Sequence, residues 1–343
     1  MRVLLIGGNG FIGSPLADEL CAGGHRVAIF HRGNHAFRGS RPIEEILGDR
    51  NRLSSCRDRL EEFRPDVIVD LILSSGEQAR ELVEVARAIA ARVVAVSSMD
   101  VYRAWGVLQC VESGPLASLP LTEDSPLRTT RALYSPESIE AMRGTFNWLD
   151  ETYDKIAVEE AILANAQVAG TVLRLPMVYG VQDPLTRFLP IVKRIADGRS
   201  RIILSADYAA WRGPRGYRDN VAHAIALAAL MDRSAGRIYN VCDEPCVTEL
   251  EWQTRIAKQA NWGGKFVVLA REQTPKHLVV PGNLEQHVIA SSERIRNELG
   301  YTEPVDSDEA IRRTIAWQHT SLSKTDPRQF DYAAEDAALS RIA

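Results

Sequence analysis

The amino-acid sequence predicts an α/β protein organised on a doubly wound parallel sheet. Short apolar runs alternate with longer segments whose apolar residues recur every three or four positions, the rhythm of βα units. The first run, "RVLLI", leads into a turn with glycines at 7, 10 and 13, directly before the first helical segment. The chain has 343 residues and 45% apolar content, enough for one large domain or a domain plus a smaller lobe.

Each element follows from its own residues. "RVLLI", bounded by glycines, suits a strand buried on both faces. "FIGSPLADELCAGG" has helical spacing and ends on two glycines, which stop a helix. "HRVAIF" is expected as a second strand, and "PDVIVDLIL" and "RVVAVSS" as further strands around a helix from Glu77 to Ala91. "TVLRLPMVYG" is expected as one more strand, after a helix containing Lys155. Residues 103–150 hold several prolines and little periodicity. A loop of that length between elements that would flank an active site reads either as a lid or substrate wall, or as a solvent-exposed insertion. Beyond Tyr179, helices are expected at 185–197, 219–232 and 249–260, with short strands at 201–204 and 237–241. "DPRQFDYAAEDAAL" reads as a short packing helix after a loop. The expected division is a dinucleotide-binding domain over 1–178 and a substrate lobe over 179–343, interleaved with the last sheet elements and ending in a C-terminal tail.

Composition narrows the function. A net charge of −4 supplies no basic field to hold nucleic acid by its phosphates. Five cysteines, at 21, 56, 110, 242 and 246, share no repeated spacing. They read as free thiols in a reducing compartment, not as disulfides or a zinc site. His31 and His35 are four apart, but Gly33 and Asn34 between them argue for a turn, so no metal is expected. The apolar run in "MRVLLIGGNG" is too short for a signal peptide, and "VAHAIALAALM" is too short to span a bilayer. A cytoplasmic protein with no membrane partner is the expectation.

The glycine turn carries the chemistry. Gly7, Gly10 and Gly13 form G-x-x-G-x-x-G between a strand and a helix. Glycines there let the backbone turn tightly and approach a pyrophosphate, which rests on the helix N-terminus. With "SSMDVY", "LRLPMVYG" and "YRDNVAHAIALA" following in order, the chain resembles the extended short-chain dehydrogenase/reductases, the NAD-dependent epimerase/dehydratase family, over residues 1–300. The resemblance implies a Rossmann-type fold that binds NAD(P). It matches Gly7, Asn9, Gly10, Phe11, Ile12 and Gly13 to the phosphate loop, Asp49 to the acid at the adenine, and Leu71 to Leu73 to the segment passing the ribose. It also matches Ser98 to the catalytic Ser/Thr, Lys155 to the active-site lysine that holds the ribose, and Pro176 to Val178 to the stretch beside the nicotinamide. The plain readings are that Asp49 is a turn residue and Ser98 caps a strand end. Ser97 reads as structural or cofactor-facing.

The resemblance also implies a tyrosine four residues before the lysine, which puts both on one helix face. Here that position is Glu151, while Tyr153 is two residues from Lys155, about 200° around a regular helix. Three readings stay open. The helix starts late and Tyr153 reaches the site from outside it; Glu151 is the acid/base; or the tyrosine function is lost. In a purely structural variant, Asp154 caps the helix and Tyr153 staples against Val158.

The end of the second strand bears on cofactor choice. NAD enzymes carry an acid about 20 residues past the glycines, for the ribose 2′-hydroxyl. This strand ends in His31-Arg32, so the expected cofactor is NADP, with Arg32 on the 2′-phosphate and NAD as the alternative. Arg212, Arg215 and Arg218 are candidates for clamping the phosphates of a nucleotide-linked substrate, or else form a solvated basic loop. The expected function is NAD(P)-dependent oxidoreductase or epimerase/dehydratase chemistry by hydride transfer. The substrate would be a small molecule, sugar-like and possibly nucleotide-linked or otherwise hydroxylated, with a homodimer among the expected assemblies. The alternatives are a non-catalytic NAD(P)-binding sensor or scaffold, and an RNA-binding relative that the negative charge disfavours.

Overall fold

The computed structural model describes residues 1–343 other than 35, 36, 38, 40, 41, 90, 91, 165, 166, 323–325 and 343. Strand β1 (Arg2–Ile6) runs through the glycine turn into α1 (Gly13–Ala22), followed by β2 (Arg26–His31), β3 (Glu44–Leu47), α2 (Arg57–Phe63), β4 (Val67–Asp70), α3 (Gly76–Ile89) and β5 (Arg92–Ser98). The next segment contributes α4 (Arg103–Leu108) and α5 (Pro136–Arg143), then α6 (Lys155–Leu163) and β6 (Ala169–Leu175). There follow β7 (Met177–Tyr179), α7 (Leu189–Ala196), β8 (Arg201–Ser205), α8 (Ala206–Ala210), β9 (Arg215–Tyr217) and α9 (Arg218–Leu230). The chain ends with β10 (Ile238–Asn240), α10 (Glu249–Gln259), β11 (Lys265–Leu269), α11 (Glu293–Leu299), α12 (Ser307–His319) and α13 (Tyr332–Ser340).

Seven strands form one parallel sheet in the order β10-β6-β5-β4-β1-β2-β3. The chain builds outward from β1 to β3, then crosses back to lay β4 on the other side of β1. That reversal opens a crevice at the carboxyl ends of β1 and β4, where such sheets bind ligands. The two-residue period of a strand divides the core. Val3 and Leu5 face a layer that includes α1 and α9, while Leu4 and Ile6 face α2, α3 and α6. Each fully buried aliphatic side chain contributes about 1.5–3 kcal/mol, so this two-sided sheet is the rigid base of the crevice. Another core, built from Tyr179, Phe188, Tyr217, Trp252 and Ile311, lies under the elements after β6.

The parallel sheet agrees with the fold class read from the sequence, and the departures have local causes. The run 171–180 is not one strand. Pro176 lacks the N–H a ladder needs, so β6 ends at Leu175, paired with Ser98, and β7 pairs with β9 instead. The strand in "PDVIVDLIL" stops at Asp70, whose Oδ1 accepts from Ile72 N at 3.0 Å and turns the chain. Strands β3, β9 and β11 have no counterpart among the strands expected from the sequence. In "EEIL" only Ile46 is buried, which leaves an edge strand with little apolar signal. Among the described residues, no helix is long and apolar enough to cross a membrane.

Candidate active site

The glycine turn is close-packed where the helix meets the strand and open where a ligand would lie. Gly7 has φ +83°, and a Cβ there would sit 2.7 Å from Ile72 Cγ2. A Cβ on Gly13 would lie 2.5 Å from Gly7 O, whereas one on Gly10 would meet only Gly7 O, at 3.3 Å. Helix α1 begins without a side-chain cap at Ile12 and without an acid in its first turn. Ser14 N is already bonded to Gly10 O at 3.0 Å and Pro15 carries no N–H, so the helix start offers an anion chiefly its dipole. This turn forms one wall of a cleft of about 460 Å³. Gly7, Asn9, Gly10, Phe11, Ile12, Gly13, Arg32, Asp49 and Leu71 all line it. An open glycine cradle, an uncapped helix start and apolar flanks fit the pyrophosphate and adenosine of a dinucleotide. Pro176 and Val178 do not line this cleft; Val178 is buried among the core side chains below the sheet end.

The strand-end residues are held by specific partners. His31 Nδ1 accepts from Gly33 N at 3.2 Å, and its Nε2 lies 2.7 Å from Glu45 Oε2 on β3. His35 lies outside the described residues. Arg32 is exposed at the cleft and donates to Asn147 Oδ1 at 2.6 Å. Asp49 serves as both turn residue and cleft wall, since its Oδ1 accepts from Asn51 N at 3.0 Å. Behind it, Arg50 is buried on Asp70 at 2.7 Å and on the carbonyl of Gln78 at 2.6 Å, which fixes the loop. Burial raises the Asp70 carboxyl, with Arg50 pulling it back.

The second cluster sits at the end of β5. Ser98 Oγ accepts from Asp100 N at 3.2 Å and starts a 3-10 turn over Met99–Val101. Helix α6 begins at Lys155. Asp154 caps it, in extended conformation, accepting from Ile156 N and Ala157 N. Tyr153 therefore precedes the helix, and its hydroxyl donates to Asp100 Oδ2 at 2.7 Å. Its ring leans on Tyr134 at 5.7 Å between centroids. The Lys155 ammonium is buried and donates to the carbonyls of Leu73 and of Val96, the latter at 3.0 Å. Burial pushes its pKa down to about 8, against the pull of Asp100, Asp70 and Glu159. Burial and the Asp100 carboxylate hold the Tyr153 phenol well above its ordinary value. Glu151 is exposed on the turn before the helix. Ser97 donates to Glu159 at 2.6 Å in the interior.

The segment 103–150 is built into the site. Its Thr145, Phe146, Asn147 and Trp148 line the dinucleotide cleft, and its Tyr134 and Arg128 surround Asp100. None of these was legible beforehand, because the segment lacks periodicity. Asp100 had one faint signal, an acid inside the apolar stretch "SMDVY". Two of the three arginines proposed as a clamp are separately engaged. Arg215 pairs with Glu249 and lies over the Trp252 ring, Arg218 pairs with Asp219 at 2.8 Å, and Arg212 is exposed.

Known proteins resemble this chain along nearly its whole length. A UDP-glucose 4-epimerase of Corynebacterium glutamicum is 26% identical, over 94% of this chain and 96% of its own. Among solved structures, the UDP-glucose 4-epimerase of Thermus thermophilus in complex with NAD superposes with a TM-score of 0.64 at 21% identity, covering 93% of this chain and 99% of that one. The dTDP-glucose 4,6-dehydratase of Bacillus anthracis in complex with NAD gives 0.65 at 17%, covering 96% and 99%. Residues 3–242 match the NAD dependent epimerase/dehydratase family, and the chain belongs to that family.

Proposed function

We propose that the protein is an NAD(P)-dependent enzyme that oxidises and re-reduces, or dehydrates, a hydroxylated sugar carried on a nucleotide. The observation that carries this reading is the convergence of Tyr153, Ser98 and Lys155 on the end of β5; none of the three lines the dinucleotide cleft, but Lys155 is bonded to Leu73, two residues from its wall at Leu71. The nicotinamide would supply a reversible hydride acceptor. Tyr153 is the acid/base at the reacting hydroxyl, Ser98 hydrogen-bonds the same oxygen, and Lys155 anchors the ribose. The glycine turn and α1 hold the pyrophosphate, with Asp49 and Leu71 along the cofactor's path. NADP is the preferred cofactor, because Arg32 is exposed at the cleft where a 2′-phosphate would fall. The relatives' names motivate the substrate class: both UDP-glucose 4-epimerases and a dTDP-glucose 4,6-dehydratase resemble the chain.

The test uses UDP-glucose as probe, with NADP and NAD supplied separately, and follows the sugar nucleotide by chromatography. Tyr153→Phe is expected to lower turnover at least about 100-fold, the scale of losing a general acid–base. Full turnover in that variant, with Glu151→Gln inactive, would transfer the role to Glu151. One observation favours a non-catalytic NAD(P)-binding sensor instead. The phenol is held by a carboxylate, and Lys155 is turned onto two backbone carbonyls. Retention of bound cofactor with no reduction of it by any sugar nucleotide would favour that reading.

A further inference from the structure

We infer that Asp100 is the proton acceptor behind Tyr153, so that the reacting proton is relayed through the phenol to a buried carboxylate. The inference rests on the reading of Tyr153 as the acid/base. Asp100 is 4% exposed, yet no cation stands within ion-pair distance of its carboxylate among the described residues. Its Oδ2 accepts from Tyr153 at 2.7 Å and faces the Tyr134 hydroxyl at 3.5 Å. Its Oδ1 is buried with no hydrogen-bond partner among the described residues. From β5, Ser98 accepts the Asp100 N–H. From the 103–150 segment, Arg128 spends Nε on the Asp100 backbone carbonyl and Nη1 on the carbonyls of Thr130 and Arg131. From α6, Lys155 donates to Leu73 and Val96. The carboxylate's hydrogen bonds are therefore to phenols, while the nearby charges of Arg128, whose Nη2 has no hydrogen-bond partner among the described residues, and of Lys155 act on it from beyond contact.

A buried carboxylate with no cation in direct contact is costly for stability, and such groups cluster where chemistry needs them. The direction of the hydrogen bond defines the chemistry. Tyr153 already donates its proton to Asp100, so toward a substrate hydroxyl it presents a lone pair. When that hydroxyl's carbon gives up a hydride to an oxidised nicotinamide dinucleotide, the O–H bond breaks and its electron pair becomes part of the carbonyl. The released proton bonds to Tyr153 Oη, and the proton that Tyr153 held bonds to Asp100 Oδ2. Tyr153 ends as a neutral phenol, Asp100 as a neutral acid, and the reverse reaction returns the proton along the same line. A lysine-stabilised tyrosinate is not required. Burial also lifts the Asp100 carboxyl above the usual range, which makes it a better base than an exposed aspartate.

The experiment has two arms on the full chain. In the first, tyrosinate absorbance is followed with rising pH in four proteins: wild type, Tyr153→Phe, Asp100→Asn and the double variant. The Tyr153 step, taken as the difference with and without Tyr153→Phe, is expected to shift to lower pH once the carboxylate is removed. No shift overturns the proposal. This arm needs no substrate, and Asp100→Ser replaces Asn if that variant does not fold. In the second arm, with UDP-glucose as probe, Asp100→Asn is expected to lose about 100-fold in turnover and the rise of rate with pH. Asp100→Glu should recover part of both. An inactive Tyr153→Phe beside a fully active Asp100→Asn with unchanged pH profile removes the relay and leaves the function. An active Tyr153→Phe removes the role of Tyr153 itself.

Discussion

Gly13→Ala should damage the fold and the cofactor site together, while Gly10→Ala should damage only the site. The added methyl at 13 would lie 2.5 Å from Gly7 O, 2.6 Å from Gly8 Cα and 2.7 Å from Gly8 C. Favourable carbon contacts lie at about 3.5–4.0 Å, so the overlap is roughly an ångström against three backbone atoms. None can rotate away. They belong to a turn whose first residue already has φ +83°. Overpacking of this kind costs about 1–3 kcal/mol, and the helix gain of Ala over Gly, up to about 1 kcal/mol, offsets part of it. We expect a net loss of about 1–2 kcal/mol in urea unfolding without cofactor, read as a lower midpoint at unchanged slope. At position 10 the methyl has one contact, 3.3 Å to Gly7 O, and projects into the cleft. Its midpoint should stay within about 0.5 kcal/mol of wild type. NADP and NAD affinity should fall at least about tenfold, the cost of roughly 1.4 kcal/mol in lost contact with the pyrophosphate. A Gly13→Ala protein with wild-type stability would refute the packing argument. A Gly10→Ala protein that binds both dinucleotides normally would refute the phosphate-loop assignment.

Two further outcomes are expected. Arg32→Ala should weaken NADP more than NAD at one ionic strength and reduce the salt dependence of NADP binding; equal or stronger NAD binding by the unmutated protein would remove the argument for Arg32. Glu159→Gln should cost about 3–5 kcal/mol in urea unfolding, because it leaves Arg174 buried without its carboxylate, now bonded at 2.7 Å; a loss below about 1 kcal/mol would mean that the neighbouring Tyr102 and Glu123 carbonyl contacts suffice.

What could be read from the sequence was what local pattern determines. The apolar runs of β1, β2 and β5 need no partner to be recognised, and the glycine turn announces its own geometry. Lost were features set by distant residues. Arg174 inside the apolar strand "TVLRLP" implies a buried partner, but nothing local says that it is Glu159, or that Tyr102 stacks under it at 4.8 Å. Asp100 meets Tyr134 from 34 positions along the chain, in a segment with no period to place it. The cleft wall at Thr145–Trp148 was hidden for the same reason. Pro176 was visible, yet its effect depended on β9 offering β7 another partner.

The two-residue interval between Tyr153 and Lys155 has a geometric answer. In a helix, four residues advance about 6.0 Å along the axis. In extended chain, two residues advance about 6.6 Å. Asp154, with φ −152° and ψ 97°, is extended, and the helix begins only at Lys155. The chain before the cap therefore covers in two steps slightly more than the distance four helical residues advance. The side-chain directions differ as well, because the tyrosine no longer rises from the lysine's own helix face. It approaches from beside the helix and ends on Asp100, while Lys155 turns inward to the carbonyls of Leu73 and Val96. The phenol at the end of β5 thus has a carboxylate, not the Lys155 ammonium, as its hydrogen-bond partner. A tyrosine restored at 151 would stand on the exposed turn before the cap, outside the helix, so Glu151→Tyr should not take over from Tyr153→Phe unless Asp154 is also replaced and the helix extends back over it.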